Sequence, residues 1–206
     1  MIASGESLGA YGSQAAFLDG RDLQQRVDGA IWTGSPQASK LLREFTQARH
    51  RGSPQIAPVY DNGLHIRFVN EPSQLQADLS GRELGRWEFP RAVFVQHASE
   101  PVVWYDTRLM IEKPDWIGES AGLDVLPMRF FPFATYLKIL VDLPIAGTAP
   151  AGHGHTYHRE VLDAWMCVLG FDQPQALGRL GSTAWVDPQM KARIGDAIDT
   201  DNLRDP

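Results

Sequence analysis

Gly5-Glu6-Ser7-Leu8-Gly9 is the most informative segment of this chain. The pattern G-x-S-x-G is typical of a sharp turn from a buried strand into a helix, with the serine side chain exposed at the turn. Small residues continue over positions 10–17 and predict a helix that packs closely against a sheet. We therefore expect a short strand, the turn and then a helix, with Ser7 as the candidate nucleophile.

Strand and helix patterns alternate along the rest of the chain. Continuous apolar runs predict buried strands at 28–33 and 90–97, as in a parallel sheet covered on both faces. Apolar residues at helical spacing predict the helices 39–49, 133–146, 157–169 and, after the Asp187 cap, 187–198. The order predicts an α/β fold with a mostly parallel sheet covered by helices.

One segment has a different pattern. Residues 56–60 and 64–69 flank Asp61-Asn62-Gly63, and Leu64, Ile66 and Phe68 alternate with polar residues. Turn residues of this kind between two apolar arms predict an inserted β-hairpin near 56–69.

The bulk composition limits both the size and the partners of the protein. With 206 residues, of which 43% are hydrophobic, the chain predicts one domain spanning 1–206. The net charge is -6, and without a basic stripe we expect no nucleic-acid partner. The most apolar stretch, 130–145, is shorter than the roughly 20 residues of a membrane span. We therefore expect a soluble chain, and Cys167 is interpreted as a buried small hydrophobic residue.

A serine nucleophile needs an orienting carboxylate, and Glu100 is the first candidate. It follows the 90–97 strand, and open α/β sheets build their sites beyond the carboxyl ends of their strands. Asp106 and Asp124 are the fallback acids in the turn-rich segment that follows. The backbone N–H of Leu8, at the start of the first helix, is the candidate donor of an oxyanion hole.

Gly152-His153-Gly154-His155-Thr156-Tyr157-His158 supplies the candidate base. Imidazole suits proton transfer near neutral pH, and a glycine-flanked loop can carry the ring over the serine. The longer loop before the helix favours His153 as the base, with His155 as the alternative or as a pocket residue. The spacing H-x-H-x-x-H also permits a metal site completed by Glu160.

Four blocks of the sequence resemble a bacterial α/β-hydrolase family whose members often have an N-terminal membrane-spanning region. They are 5–9, 28–36, 95–105 and 150–157. The resemblance implies a serine hydrolase with Ser7 as nucleophile, a carboxylate at position 100 and a histidine from the Gly-His-Gly-His block. Aspartate is usual in the family where this chain has Glu100.

The resemblance also implies that strands normally precede the nucleophile turn, so that this chain corresponds to the rear part of such a domain. A truncated chain, a misplaced start codon or a natural fragment would each explain that. An uncovered nucleophile strand would expose a sheet edge, which predicts homo-oligomerisation. Any membrane attachment would come from the missing N-terminal region.

We expect an esterase-like or lipase-like serine hydrolase acting through a Ser-His-Glu triad and an acyl-enzyme, without a cofactor. Its substrate would be a small ester or a lipid-like molecule, with aromatic residues such as Trp104 and Trp116 lining an acyl pocket. The alternative is a catalytically silent hydrolase-like module that serves assembly or interaction.

Overall fold

A four-stranded parallel sheet forms the centre of the protein. The computed structural model describes residues 1–119, 128–171 and 188–202. The strand order is β1-β2-β4-β3, and all three neighbouring pairs are parallel. The strands are β1 (Ile2–Glu6), β2 (Gly29–Thr33), β3 (Ile66–Val69) and β4 (Arg91–Val95).

Helices connect the strands and cover the sheet, as the alternating sequence patterns predict. The α-helices are α1 (Leu8–Ala15), α2 (Gly20–Arg26), α3 (Lys40–Gln47), α4 (Pro101–Trp104), α5 (Ala134–Asp142), α6 (Arg159–Val168) and α7 (Pro188–Asn202). Single-turn and short 3₁₀ helices lie at Asp61–Gly63, Pro72–Leu75, Thr107–Met110, Asp115–Gly118 and Leu143–Thr148. The predicted helix cap Asp187 lies outside the described residues.

The two central strands, β2 and β4, are buried on both faces. On one face Phe94 packs against Trp32 and against Phe45 of α3. The ring centroid of Phe94 is 5.0 Å from that of Trp32 and 6.0 Å from that of Phe45. On the other face Val93 packs in a cluster with Val168 of α6. Apolar side chains on both sides explain why these strands read as continuous hydrophobic runs, and the predicted α/β fold is confirmed.

Strand β1 lies at one edge of this sheet. All residues of β2, β3 and β4 are buried, whereas Ser4 and Glu6 of β1 are exposed. Within the described residues, β1 pairs with β2 and with no other strand. Ser7 thus follows an edge strand, with the carboxyl end of β2 beside it and that of β4 one strand further along the sheet.

The predicted hairpin near 56–69 is wrong. Its second arm forms β3, which pairs in parallel with β4, and its first arm is not a strand. Pro58 removes one backbone donor from that arm, and the carbonyl groups of Ile56 and Val59 accept hydrogen bonds from Gln96 and His50 instead. The turn residues 61–63 form a 3₁₀ turn in which all three have positive φ.

Arg67 explains why β3 resembled a half-exposed strand. Its side chain is buried, and its guanidinium donates to the carbonyl groups of Gly63, Leu75 and Gly85. A polar residue in the alternating pattern is therefore inside the protein, with its donors satisfied.

The burial of Cys167 and the apolar character of the helices can also be compared with the sequence. Cys167 is half-buried rather than fully buried. Within the described ranges, none of the helices has the length and apolar character needed to cross a membrane.

Candidate active site

Ser7 lies at a strained turn between β1 and α1. Its φ is 53° and its ψ is -121°, a backbone conformation that is unusual for a residue with a side chain. The turn is fixed on both sides, because Ser7 N–H donates to Thr33 O at 3.0 Å and Tyr11 N–H donates to Ser7 O at 3.1 Å. Strain that is held in place in this way is characteristic of functional sites.

The two glycines that flank the turn differ in what they do. A Cβ at Gly5 would lie 2.4 Å from the carbonyl carbon and oxygen of Gly9, so the strand and helix approach too closely for any side chain there. A Cβ at Gly9 would meet nothing within 4 Å. The turn therefore leaves no room for a side chain at Gly5 but does leave room for one at Gly9.

Leu8 is the first residue of α1. The N–H groups of a first helical turn have no carbonyl partner within the helix. The backbone N–H of Leu8 therefore makes no hydrogen bond within α1, and Leu8 directly follows Ser7 in the chain. The Leu8 side chain itself is exposed. The position suits an anion-binding donor, because helix N-termini favour negative charge.

Glu100 and His155 come together beyond the ends of β2 and β4. Glu100 is fully buried, and His155 Nδ1 is hydrogen-bonded to its Oε1 atom. Gly34 makes this contact possible: a Cβ there would lie 2.6 Å from Glu100 Oε1 and 2.9 Å from His155 Cε1. Its φ of 54° is also one that glycine adopts most readily.

The other nitrogen of His155 faces the Ser7 turn. Its Nε2 atom lies 3.9 Å from Oε1 of Glu6, the residue before the serine. Among the residues that the structure describes, Ser7 Oγ has no hydrogen-bonding partner, so Ser7 and His155 are not hydrogen-bonded to each other. A ring with one nitrogen on a carboxylate and the other toward a serine turn has the geometry of a general base.

His153, the histidine that loop length favoured, does not occupy this place. It is exposed, its N–H donates to Pro150 O at 3.0 Å, and it forms an isolated bridge with Thr156. That tight turn over 150–156 brings His155, rather than His153, to the carboxylate. Loop length alone could not reveal this, because it depends on backbone hydrogen bonds inside the loop.

The local electrostatics favour a charged His155. The hydrogen bond to Glu100 raises the pKa of the imidazole above its ordinary value, partial burial opposes that rise, and the charges of Glu100 and Glu6 add to it. The neutral ring that a base requires is therefore present only at higher pH than for an isolated histidine.

Tyr157 is a site residue that the sequence reasoning missed. Its hydroxyl donates to Oε2 of Glu100, so the two carboxylate oxygens have separate partners. Burial and the charge of Glu100 raise the pKa of the Tyr157 phenol well above its usual range, so the hydroxyl keeps its proton. Its place two residues after His155, in a loop that already held the base candidates, was the available signal.

A second histidine and carboxylate lie beneath the loop. His97 is fully buried after β4; its Nε2 atom is 3.0 Å from Glu160 Oε1 and its Nδ1 atom is 3.0 Å from Gly154 O. The His97 ring stacks on Tyr157 with centroids 4.4 Å apart and planes at 18°. The carboxylate that the metal interpretation used is therefore paired with His97.

The remaining sequence candidates lie elsewhere. Asp106 pairs with Arg108 at 2.6 Å, and Asp124 is outside the described residues. No group of three metal-ligating side chains occurs in the part of the chain that the structure describes. His158 contributes its backbone N–H to Glu160 Oε1 at 2.9 Å.

The aromatic residues proposed for an acyl pocket are largely core residues. Trp104 and Trp116 are buried and pack on each other with centroids 4.8 Å apart. A groove of about 210 Å³ lies beside α3 and includes both residues in its lining, but Ser7, Glu100 and His155 are not part of it. The groove is polar and gives no support to an apolar substrate.

Residues 1–178 match the model of the alpha/beta-hydrolase family. No curated protein and no solved structure matches the chain.

Proposed function

Because the chain belongs to the alpha/beta-hydrolase family, we propose that it is a serine hydrolase that cleaves carboxylic esters through an acyl-enzyme. The observation that carries the proposal is the hydrogen bond between His155 Nδ1 and the buried Glu100, beside the strained Ser7 turn. Nucleophile, acid and base occur in the chain order Ser, Glu, His, which is the order of α/β-hydrolases.

In the first half of the reaction, Ser7 Oγ attacks the ester carbonyl carbon while His155 Nε2 takes the serine proton. Glu100 accepts the Nδ1–H hydrogen bond and stabilises the imidazolium that forms. The carbon–oxygen bond to the alcohol then breaks, and His155 returns the proton to the leaving alcohol. The acyl group remains on Ser7.

In the second half, water replaces the alcohol. His155 takes a proton from the water as it attacks the acyl carbon, and then gives that proton to Ser7 Oγ as the acid leaves. No cofactor is required. In both halves the backbone N–H of Leu8 donates to the oxyanion, aided by the dipole of α1.

The raised pKa of His155 sets the pH range of this chemistry. The base must be neutral to take a proton, so kcat/KM should fall as pH is lowered through the His155 pKa. Because the Glu100 hydrogen bond raises that pKa above 6.5, the acid limb of the profile should lie above the ordinary histidine range. A fall centred below 6.5 would contradict the assignment of the base.

A fluorophosphonate probe tests the proposal directly, because it phosphonylates only an activated serine. The folded protein should be labelled and Ser7→Ala should not. Ser4→Ala, an exposed serine of the same segment, is the matched control and should be labelled like the wild type. A folded wild-type protein that resists the probe, and does not hydrolyse p-nitrophenyl esters, would instead support a catalytically silent module.

A further inference from the structure

His97 is held between two hydrogen-bond acceptors. The Gly154 carbonyl oxygen, 3.0 Å from Nδ1, can only accept. Glu160 Oε1, 3.0 Å from Nε2, also accepts the His158 N–H at 2.9 Å, and an ionised carboxylate can only accept. A neutral imidazole has a single N–H and could satisfy only one of the two. With Glu160 ionised, this geometry favours a doubly protonated His97 that donates to both groups.

The electrostatics agree with this protonation state. Burial opposes a charge on the ring, but hydrogen bonds to Glu160 and Gly154 and the charges of Glu160 and Glu100 outweigh it and raise the pKa of His97. Burial likewise opposes the charge on Glu160, but its hydrogen bonds, first that from His97, lower its pKa. Each partner favours the charged form of the other.

The contact with Gly154 acts on the peptide that carries the base. Gly154 is buried with φ 55°, and a Cβ there would lie 2.7 Å from Ala146 O. Its N–H donates to Ser99 Oγ at 2.9 Å, and the next N–H, that of His155, donates to Ala146 O at 2.9 Å. His97 supplies the donor for the one carbonyl between these bonds, so the whole peptide before His155 is fixed.

The same ring also supports the acid. Tyr157 stacks on His97 and donates its hydroxyl to Glu100. One buried imidazole thus lies behind both His155 and Glu100. It reaches His155 through Gly154 and Glu100 through Tyr157.

We propose that the buried His97–Glu160 charge pair positions His155 for catalysis, through the hydrogen bond from His97 Nδ1 to the Gly154 carbonyl. This role rests on the proposed function, since it serves the same Ser7 chemistry. His97 is a positioning residue and touches no reacting atom.

Two uncharged variants separate positioning from simple packing. Asparagine places an amide N–H2 where Nδ1 of histidine lies, so His97→Asn keeps a donor for Gly154. Glutamine places its amide where Nε2 lies, so His97→Gln keeps a donor for Glu160 only. Both variants lose the positive charge and the ring stack on Tyr157. His50→Gln, at an exposed histidine, is the control.

The expected difference is in kcat for ester hydrolysis. His97→Gln should lose about 10²-fold in kcat with KM within about twofold, because a base displaced by roughly 1 Å costs about that factor. His97→Asn should retain at least about tenfold more kcat than His97→Gln, and the control should match the wild type. Equal losses in the two variants, the reverse order, or no loss in either would overturn the proposal.

A measurement on the wild type keeps the test independent of variant folding and of activity. Nitrogen-15 NMR of the side chains at pH 7 should show two N–H protons on the His97 ring, and a single one would overturn the proposal. If the ring is doubly protonated but the protein neither hydrolyses esters nor reacts with fluorophosphonate, the proposed function fails rather than the charge pair. If the wild type is active and His97→Gln is equally active, the positioning role fails alone.

Discussion

Replacing Gly34 with alanine should disable the site while leaving the fold intact. Gly34 follows β2 and packs against the contact between Glu100 and His155. An alanine Cβ would lie 2.6 Å from Glu100 Oε1 and 2.9 Å from His155 Cε1. Glu100 cannot turn away freely, because its other carboxylate oxygen is bonded to Tyr157.

Two separate costs follow from this geometry. A non-glycine residue at φ 54° costs about 1 to 2 kcal/mol of stability. To restore ordinary contact, which begins at 3.4 Å, the carboxylate of Glu100 must move by about 0.8 Å, and a displacement of that order costs roughly 10² in rate. Gly34→Ala should therefore lose about 10²-fold in kcat/KM.

Gly81→Ala is the matched control. Gly81 has φ 78°, and a Cβ there would meet nothing within 4 Å. It should lose about 1 kcal/mol of unfolding free energy for its backbone strain and keep wild-type kcat/KM. The assays are ester hydrolysis and urea unfolding. A folded Gly34→Ala protein with wild-type kcat/KM would refute the view that this contact supports activity, as would an equal loss of activity in the control.

Three further predictions test other parts of the site. Glu6→Gln should move the acid limb of the kcat/KM profile to lower pH, because the charge of Glu6 raises the pKa of His155; an unchanged limb would contradict this. Tyr157→Phe should lower the unfolding free energy in urea by about 2 kcal/mol, since the buried Glu100 loses a charged hydrogen bond, and it should lower kcat as well; wild-type values for both would exclude a supporting role. The exposed edge of β1 predicts self-association, which Ser4→Lys should reduce in light scattering by placing a charge on that edge; a monomeric wild type would contradict the oligomer.

The sheet was largely predictable because its central strands are covered on both faces. A strand covered on both faces is mostly apolar, and 28–33 and 90–97 each contain such a run, so β2 and β4 could be placed from the sequence. The amphipathic spacing of α3 was equally informative. Local patterns of this kind need no knowledge of distant contacts.

The hairpin prediction was wrong because a local pattern does not identify the strand with which a segment pairs. Its evidence was local, but the partner of β3 is β4, more than twenty residues later. Arg67 looked like a solvent-facing residue, and only the carbonyl groups that surround it explain its burial. A turn motif indicates a change of direction without indicating which strand pairs with which.

The candidate site was predictable in its chemistry and less so in its geometry. Residue types and chain order predicted that Ser7, Glu100 and the histidine loop belong to one site. The place of His155, the contact of the Tyr157 hydroxyl and the close approach at Gly34 depend on how three separate loops meet beyond the sheet. No spacing within one segment contains that information.

The rate of fluorophosphonate labelling in two histidine variants shows which histidine activates Ser7. Labelling located at Ser7 by mass spectrometry should be slowed at least about 10³-fold in His155→Gln, because the serine loses its base. His153→Gln, in the same loop, should react at the wild-type rate. If His153→Gln slows labelling and His155→Gln does not, the assignment of the site is contradicted.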